Sequence, residues 1–159
     1  MGLDMYLTKK TYVKNWSHMS PEQLHEITVK KGGEPRTDIK PERISSIEES
    51  VAYWRKANHI HKWFVDNVQD GEDNCREYYV GREQLQQLVD ECKQVKESLE
   101  KSNNSDTSVA EELLPTQSGF FFGGTEYDEY YIQDLDDTIK QLEPLLQEES
   151  GEFYYQSSW

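Results

Sequence analysis

An indole, a guanidinium and two further polar side chains lie close together in the segment YWRKANHIHKWF. Trp54 and Arg55 are adjacent, and Asn58 and His61 follow shortly after them. An arginine can bind an anionic group and stack on an indole ring, and a histidine can exchange protons near neutral pH. His59 and His61 are two residues apart and would leave a helix on different sides, so they predict no shared metal site. The segment predicts either a polar ligand pocket or a buried amphipathic helix in which His61 is hydrogen-bonded.

A second segment, PTQSGFFFGG, combines small polar side chains with aromatic ones. Thr116, Gln117 and Ser118 could line the rim of the same pocket, whereas a phosphate-binding loop is excluded because no lysine follows the glycines. Three successive phenylalanines, residues 120–122, would face both sides of a strand, which predicts a central strand whose rings belong mainly to the core.

Acidic and aromatic side chains crowd the next stretch of the chain. Such spaced carboxylates favour either a solvated helix face or a surface that imitates a phosphate backbone and binds a basic partner. The predicted partner-binding residues are Glu126, Tyr127, Asp128, Glu129, Tyr130, Asp134, Asp136 and Asp137.

The acidic segment DNVQDGEDNCRE partly matches a calcium-binding loop. Asp66, Asp70, Gly71 and Glu77 fall at suitable positions, but Val68 removes one ligand and the segment after the loop reads as a strand. The segment is therefore interpreted as an acidic turn, with weak calcium binding left open.

No pattern indicates catalysis. A Ser-His-Asp or Cys-His arrangement is not supported, the GxSxG motif is absent, and the two cysteines form neither a zinc set nor a disulfide framework. We expect no catalytic residue, no metal and no cofactor.

The hydrophobic pattern predicts the elements that position these residues. It indicates a first strand near residues 3–9, a main helix at roughly 41–68, and further helices at about 83–100 and 128–147. The segments REYYV and EFYYQSSW read as strands, and a polar flexible loop is expected at about 101–108. The prediction is one α+β domain over residues 1–159, with a small, mostly antiparallel sheet packed by three main helices. The N- and C-terminal strands are expected to belong to that sheet as neighbours.

Charge narrows the class of partner. The net charge is −14, and residues 81–159 hold 18 Asp+Glu against 5 Lys+Arg. Such a surface repels nucleic acid and anionic lipid, so direct nucleic-acid binding and membrane association are not expected. No apolar run is long enough to cross a bilayer.

Four segments carry a resemblance to a known group of proteins. MGLDMYLTKK, YWRKANHIHKWFVDN, LLPTQSGFFFG and FYYQSSW resemble a family of small acidic proteins encoded by bacteriophages and prophages, whose function is unsettled. The resemblance implies a location in the cytoplasm of a bacterial host and a host protein as the target.

Two functional hypotheses follow. In the first, the chain is a non-enzymatic binding protein that inhibits a host protein with a basic surface, such as a defence or nucleic-acid-binding protein, through its acidic face. In the second, it is a module or small enzyme that binds a nucleotide-like molecule in a pocket near Trp54, Arg55, Asn58, His61 and residues 116–118. A homodimer that associates through exposed aromatic side chains is a further expectation.

Overall fold

A four-stranded antiparallel sheet forms the centre of the computed structural model, which describes residues 2–159. Its strands, numbered in chain order, are β1 (Asp4–Tyr12), β4 (Ser46–Arg55), β5 (Tyr78–Val80) and β6 (Glu152–Ser158), and they lie in the order β4-β1-β6-β5. The N- and C-terminal strands are thus neighbours, as predicted. A separate small hairpin pairs β2 (Lys30–Lys31) with β3 (Glu34–Pro35).

Within residues 2–159, four α-helices complete the fold. They are α1 (Asn58–Asn67), α2 (Arg82–Lys101), the short α3 (Ser108–Leu113) and α4 (Glu129–Leu146). Short 3-10 turns occur at Pro21–Gln23 and Pro41–Arg43. The predicted α+β class with three main helices is confirmed.

The core lies between the helices and one face of the sheet. Leu7 of β1 and Tyr155 of β6 are fully buried on this face, because alternate side chains of a strand point to the same side. The ring of Tyr155 stacks on Phe64 of α1 with 3.9 Å between ring centroids. Leu88 of α2 and Leu135 of α4 are also fully buried in this core.

The predicted main helix at 41–68 is wrong over its first half. Residues Ser46–Arg55 form β4, and the helix begins only at Asn58. Apolar residues spaced by three or four positions suggested a helix, but they belong to a strand that contains an irregularity. The register between β1 and β4 shifts between Leu7 and Thr8, which interrupts the strict alternation of a strand. Lys56, with φ 56°, then turns the chain from strand into helix.

The predicted central strand at residues 120–122 is also wrong. The segment is a loop in which Phe122 is buried, whereas Phe120 is 82% exposed and Phe121 is 44% exposed. The loop turns back on itself because Phe122 N–H donates to Gly119 O at 3.1 Å and Phe121 adopts a φ of 67°. A strand would have required an extended backbone at these positions.

The polar segment after α2 is a compact turn. Ser105 N–H donates to Ser102 O at 3.1 Å, Asn104 N–H donates to Leu99 O at 2.8 Å, and α3 begins at Ser108. The loop expected at about 101–108 therefore corresponds to the connection between the end of α2 at Lys101 and the start of α3 at Ser108. Backbone hydrogen bonds hold this connection together.

The second face of the sheet carries tyrosines. Tyr6, Tyr53 and Tyr79 are exposed there, and the rings of Tyr6 and Tyr53 lie 5.4 Å apart across β1 and β4. This aromatic surface was not predicted. The even positions of Tyr6 and Tyr12 in β1 could have indicated it, because alternate residues of a strand face the same side.

Candidate functional site

One cleft, with a volume of about 340 Å³, brings together side chains from distant parts of the sequence. It lies where the end of β4 and the start of α1 face the loop after α3 and the first turns of α4. Its lining residues include both cations and carboxylates, which makes it a mixed-charge site. They are Arg55, Lys56, Asn58, His59, Thr116, Gly123, Gly124, Glu126, Asp128, Tyr130, Tyr131, Gln133 and Asp134.

The cationic side of the cleft is formed by Arg55 and Lys56, both of which are exposed. The backbone N–H of Lys56 donates to Leu3 O at 2.8 Å, which holds this corner against β1. Gly123 packs directly on it, since a Cβ added there would lie 3.1 Å from both Cβ and the carbonyl oxygen of Lys56. Gly123 has a φ of 87°, so a glycine is required both by backbone conformation and by close approach.

Asn58 fixes the opposite loop to the start of α1. Its side-chain amide donates to the carbonyl oxygens of Phe122 at 3.0 Å and Gly124 at 2.9 Å, and its oxygen accepts from Gln117 N–H at 2.9 Å. Asn58 is buried, and both amide hydrogens are used by these bonds. It therefore shapes the wall of the cleft rather than presenting a free group to a ligand.

The acidic side is provided by α4 and the residues before it. Asp128 caps the helix, because its carboxylate accepts from the N–H groups of Tyr130 and Tyr131, each at 3.1 Å. Tyr130 and Asp134 are four residues apart and so lie on the same side of the helix. The Tyr130 ring is 74% exposed at the mouth of the cleft.

Two ionisable groups of the cleft have displaced pKa values. Burial, together with the charges of Asp137 and Asp128, raises the pKa of Asp134 to about 7. Burial lowers the pKa of His59 to about 3, so this imidazole is neutral at physiological pH. The ring of His59 stacks on Tyr131 at 4.1 Å between centroids, and its Nε2 has no hydrogen-bond partner among residues 2–159. A carboxyl that titrates near pH 7 therefore lies in the same cleft as a neutral imidazole.

Two predicted pocket residues lie in the core and do not line the cleft. Trp54 points inward from β4 and donates through Nε1 to Thr138 Oγ1 at 2.9 Å. His61 is fully buried, with Nδ1 2.7 Å from the Tyr155 hydroxyl and Nε2 3.0 Å from the carboxylate of Asp73. Of the two alternatives that the sequence predicted for this segment, the structure contains a buried, hydrogen-bonded His61.

The predicted rim residues separate in a similar way. Thr116 lines the cleft, and its hydroxyl donates to Thr125 O at 2.9 Å. Gln117 joins the wall through the bond between its backbone and Asn58. Ser118 is exposed and does not line the cleft.

The predicted partner-binding residues divide into two groups. Glu126, Asp128, Tyr130 and Asp134 line the cleft, whereas Tyr127, Glu129, Asp136 and Asp137 do not. In the second group, Asp136 pairs with Lys96 Nζ of α2 at 2.6 Å, and Asp137 accepts from Gln133 at 2.9 Å. Residues predicted for two alternative functions therefore meet at one site.

Sequence reasoning did not assign Lys56, His59 or Gly123 to the pocket. Lys56 directly follows the predicted Arg55, so its type and position were visible in the sequence. The burial of His59 and the contact between Gly123 and Lys56 depend on how the loop folds over α1, which no local pattern specifies.

Acidic side chains of the turn at residues 66–77 are bonded to other residues of the same chain. Lys62 Nζ lies 2.7 Å from the carboxylate of Asp66, and Asp73 bonds to both His61 and Trp159. The strand β5 follows the turn, where a calcium-binding helix–loop–helix would have a helix. Within residues 2–159, no group of three or more His, Cys, Asp or Glu side chains is arranged to hold a metal ion.

Across the same described part of the chain, no helix is long and apolar enough to cross a membrane. Comparisons with protein-family models, with curated proteins and with solved structures found no match to this chain.

Proposed function

We propose that this chain is a binding protein for a small anionic ligand of the nucleotide kind, held in the cleft between the β4–α1 corner and α4. The observation that carries the proposal is the placement of Arg55 and Lys56 in one cleft with Asp134 and an exposed tyrosine ring. A nucleotide presents a phosphate, a flat ring and hydrogen-bond donors, and each has a chemical complement in this cleft.

The phosphate would bind to the two cations. Arg55 stands at the end of β4, and a guanidinium forms paired hydrogen bonds to phosphate oxygens. Lys56 adds a second positive charge next to it. In a chain with a net charge of −14, this pair attracts an anion that the rest of the surface repels.

The ring of the ligand would meet Tyr130 and Asp134. The exposed face of Tyr130 can stack on a base, and an aspartate accepts hydrogen bonds from ring or exocyclic N–H groups when ionised. With its pKa raised to about 7, Asp134 can also donate a hydrogen bond in its protonated form. Nucleotide binding should therefore depend on pH around neutrality.

The proposal is tested by thermal shift and calorimetry with nucleoside 5′-monophosphates, the corresponding nucleosides and inorganic phosphate. We expect a nucleotide to raise the melting temperature more than its nucleoside does. The Arg55→Gln variant should lose at least about tenfold in affinity, since it removes a charge-assisted hydrogen bond to the phosphate.

Arg76→Gln serves as the matched control, because Arg76 is an exposed arginine outside the cleft. Its affinity should equal that of the wild type. If no nucleotide shifts the melting temperature at millimolar concentration, or if Arg55→Gln binds as the wild type does, the cleft is not such a site.

A second candidate function is the binding of a basic protein by the acidic surface. It is favoured by Glu126 and Glu129, which are exposed on either side of the Asp128 cap and make no ion pair within residues 2–159. A phage-encoded inhibitor of a host protein in the bacterial cytoplasm would act through this surface. The pairing of Asp136 with Lys96 reduces the number of free carboxylates that such a partner would meet.

A further inference from the structure

The carboxylate of Asp134 is half-buried in the cleft without a hydrogen-bond partner. The backbone carbonyl oxygen of this residue accepts from Thr138 Oγ1 at 2.6 Å, whereas its side chain makes no hydrogen bond or ion pair within residues 2–159. A carboxylate that is partly removed from water is destabilised when it has no partner. A ligand that donates hydrogen bonds to Asp134 would therefore supply what burial has removed.

The other two carboxylates of the cleft are less suited to this role. Asp128 is exposed and already accepts from the N–H groups of Tyr130 and Tyr131 as the cap of α4. Glu126 is exposed, so water competes for any hydrogen bond that it offers to a ligand. A half-buried group discriminates better between ligands, because a mismatched ligand leaves it with neither water nor a partner. Asp134 is therefore the carboxylate that can select the ligand.

Tyr130 and Asp134 place a stacking surface next to a hydrogen-bond acceptor. They are four residues apart on α4, a spacing at which side chains are neighbours on the helix surface, with about 5–6 Å between Cβ atoms. A base that stacks on the exposed Tyr130 ring thus has one edge within reach of Asp134. Arg55 and Lys56 line the cleft from the β4–α1 corner, so the phosphate of the ligand has a separate place to bind.

The pattern of donors on each base decides which base fits an ionised carboxylate. A carboxylate only accepts hydrogen bonds, and its two oxygens suit two parallel N–H donors. Guanine presents such a pair on adjacent atoms, namely N1–H and the 2-amino group. In adenine and cytosine the amino group lies beside a ring nitrogen that accepts, and in uracil the ring N–H lies between two carbonyl oxygens. Each of these three bases would turn an acceptor toward the carboxylate.

We propose that Asp134 determines the specificity of the cleft and that the ligand is a guanine nucleotide, whose N1–H and 2-amino group donate to the Asp134 carboxylate. The inference rests on the proposed function, since it names the base of the nucleotide that the cleft binds. The base stacks on Tyr130, its edge binds to Asp134, and its phosphate binds to Arg55 and Lys56.

The test is calorimetry with guanosine, inosine and adenosine 5′-monophosphates (GMP, IMP and AMP). Burial and the charges of Asp137 and Asp128 raise the pKa of Asp134 to about 7, so the titrations are made at about pH 8, where the carboxylate form prevails. We expect GMP to bind at least about tenfold more tightly than AMP, because AMP leaves the carboxylate facing an acceptor. IMP should lie between them, since its base keeps N1–H and lacks the 2-amino group.

Asp134→Asn should change the preferred base as well as the affinity. An amide presents one acceptor and one donor, which complement the amino group and the neighbouring ring nitrogen of adenine. GMP should therefore lose at least about tenfold in affinity, and AMP should bind to the variant at least as tightly as GMP does. Asp90→Asn makes the same change at an exposed position of α2 outside the cleft and should keep the wild-type order. Circular dichroism and the melting temperature establish that both variants are folded.

The failure of this inference is distinguishable from the failure of the proposed function. If the wild type binds AMP as tightly as GMP, or if Asp134→Asn keeps the preference for GMP, Asp134 does not select the base, although the chain still binds nucleotides. If GMP, IMP and AMP all fail to bind, the proposed function is wrong, and the assignment of guanine is wrong with it.

Discussion

At the scale of single residues, burial determines what the ionisable groups of the cleft can do. Asp134 and His59 belong to the same site, but removal from water raises the pKa of the carboxyl and lowers that of the imidazole, because it disfavours the charged form of each. The sequence shows both residue types without showing their burial. Arg55 differs from both because it is exposed.

The raised pKa of Asp134 makes the stability of the protein depend on pH. A carboxyl with a higher pKa in the folded state binds its proton more tightly there, so its contribution to stability declines as pH rises from about 4 to about 7. Asp134 is only half-buried, so solvent screens much of the effect that the full shift would give. We therefore expect Asp134→Asn to be more stable than the wild type by about 1 kcal/mol at about pH 8, and equal to it below about pH 4. Urea denaturation at a series of pH values measures this difference.

Asp90→Asn, which removes the same carboxylate charge at an exposed position of α2, is the control. A wild-type protein that is as stable as Asp134→Asn at about pH 8 would show that Asp134 ionises without cost to the fold.

At the scale of elements, the cleft depends on one loop that is held in an unusual backbone path. The loop from Gly119 to Gly124 is tied to α1 by Asn58, and to the residue just before β1 by the bond from Leu3 N–H to Phe121 O at 3.3 Å. The glycines were visible in the sequence, and three phenylalanines between them suggested a strand. The actual path requires a left-handed conformation at Phe121 and Gly123, which depends on contacts with distant elements.

The two glycines at the end of this loop should respond differently to substitution. Gly123→Ala should destabilise the protein by about 1–3 kcal/mol, because its φ of 87° is unfavourable for alanine and the new Cβ would press on Lys56. Gly124→Ala should be nearly neutral, since a Cβ there meets no atom within 4 Å. The free energy of unfolding of both variants, from chemical denaturation, gives the comparison.

Equal stability of the two variants would mean that the loop can move away from Lys56 at no cost. If Gly123→Ala also weakens nucleotide binding while Gly124→Ala does not, the position of this loop contributes to the cleft as well as to the fold.

At the scale of the whole molecule, the chain carries two kinds of surface. Residues 81–159 are strongly acidic, and ion pairs such as Lys93 with Glu143 and Lys96 with Asp136 link α2 to α4 within that acidic layer. Because the first pair is exposed and the second is only half-buried, each contributes little stability, and the remaining negative charge is available to a basic partner. The connection between β1 and β4, residues 14–45, differs from this acidic part, since it holds six Lys+Arg and five Asp+Glu, a net charge of +1.

The second candidate function predicts how the binding of a basic partner depends on salt and on the charge of the acidic surface. If the acidic surface binds a host protein, affinity capture from bacterial lysate should retain one protein at low salt and release it at high salt. Glu126→Lys combined with Glu129→Lys should reduce the retained amount at least about tenfold, because opposite charges become like charges. Mass spectrometry would identify and quantify the retained protein.

Glu48→Lys with Glu49→Lys is the control, since it changes the net charge equally at exposed positions of β4. An equal loss in both double variants would show that total charge, rather than this surface, attracts the partner. Retention that neither salt nor charge reversal changes would exclude binding through the acidic surface.

The sequence by itself determined the elements with the clearest periodicity. The apolar faces of α2 and α4, the strand formers of β1 and β6, and the neighbouring positions of the two terminal strands were all predicted correctly, because each depends on local spacing or on simple α+β packing. Residues such as Leu88 and Leu135 are buried as that spacing requires. The net charge of −14, which composition alone provides, also showed that the chain is acidic.

Only the tertiary structure decided which polar residues meet. Trp54 and His61 were grouped with Arg55 and Asn58 because they are close in sequence, but strand alternation and the buried face of α1 turn the first two into the core. The division of residues 41–68 into a strand and a helix followed from pairing with β1, which is a long-range interaction. Local sequence specifies periodicity, whereas a site is made by loops and chain reversals whose conformation depends on distant contacts.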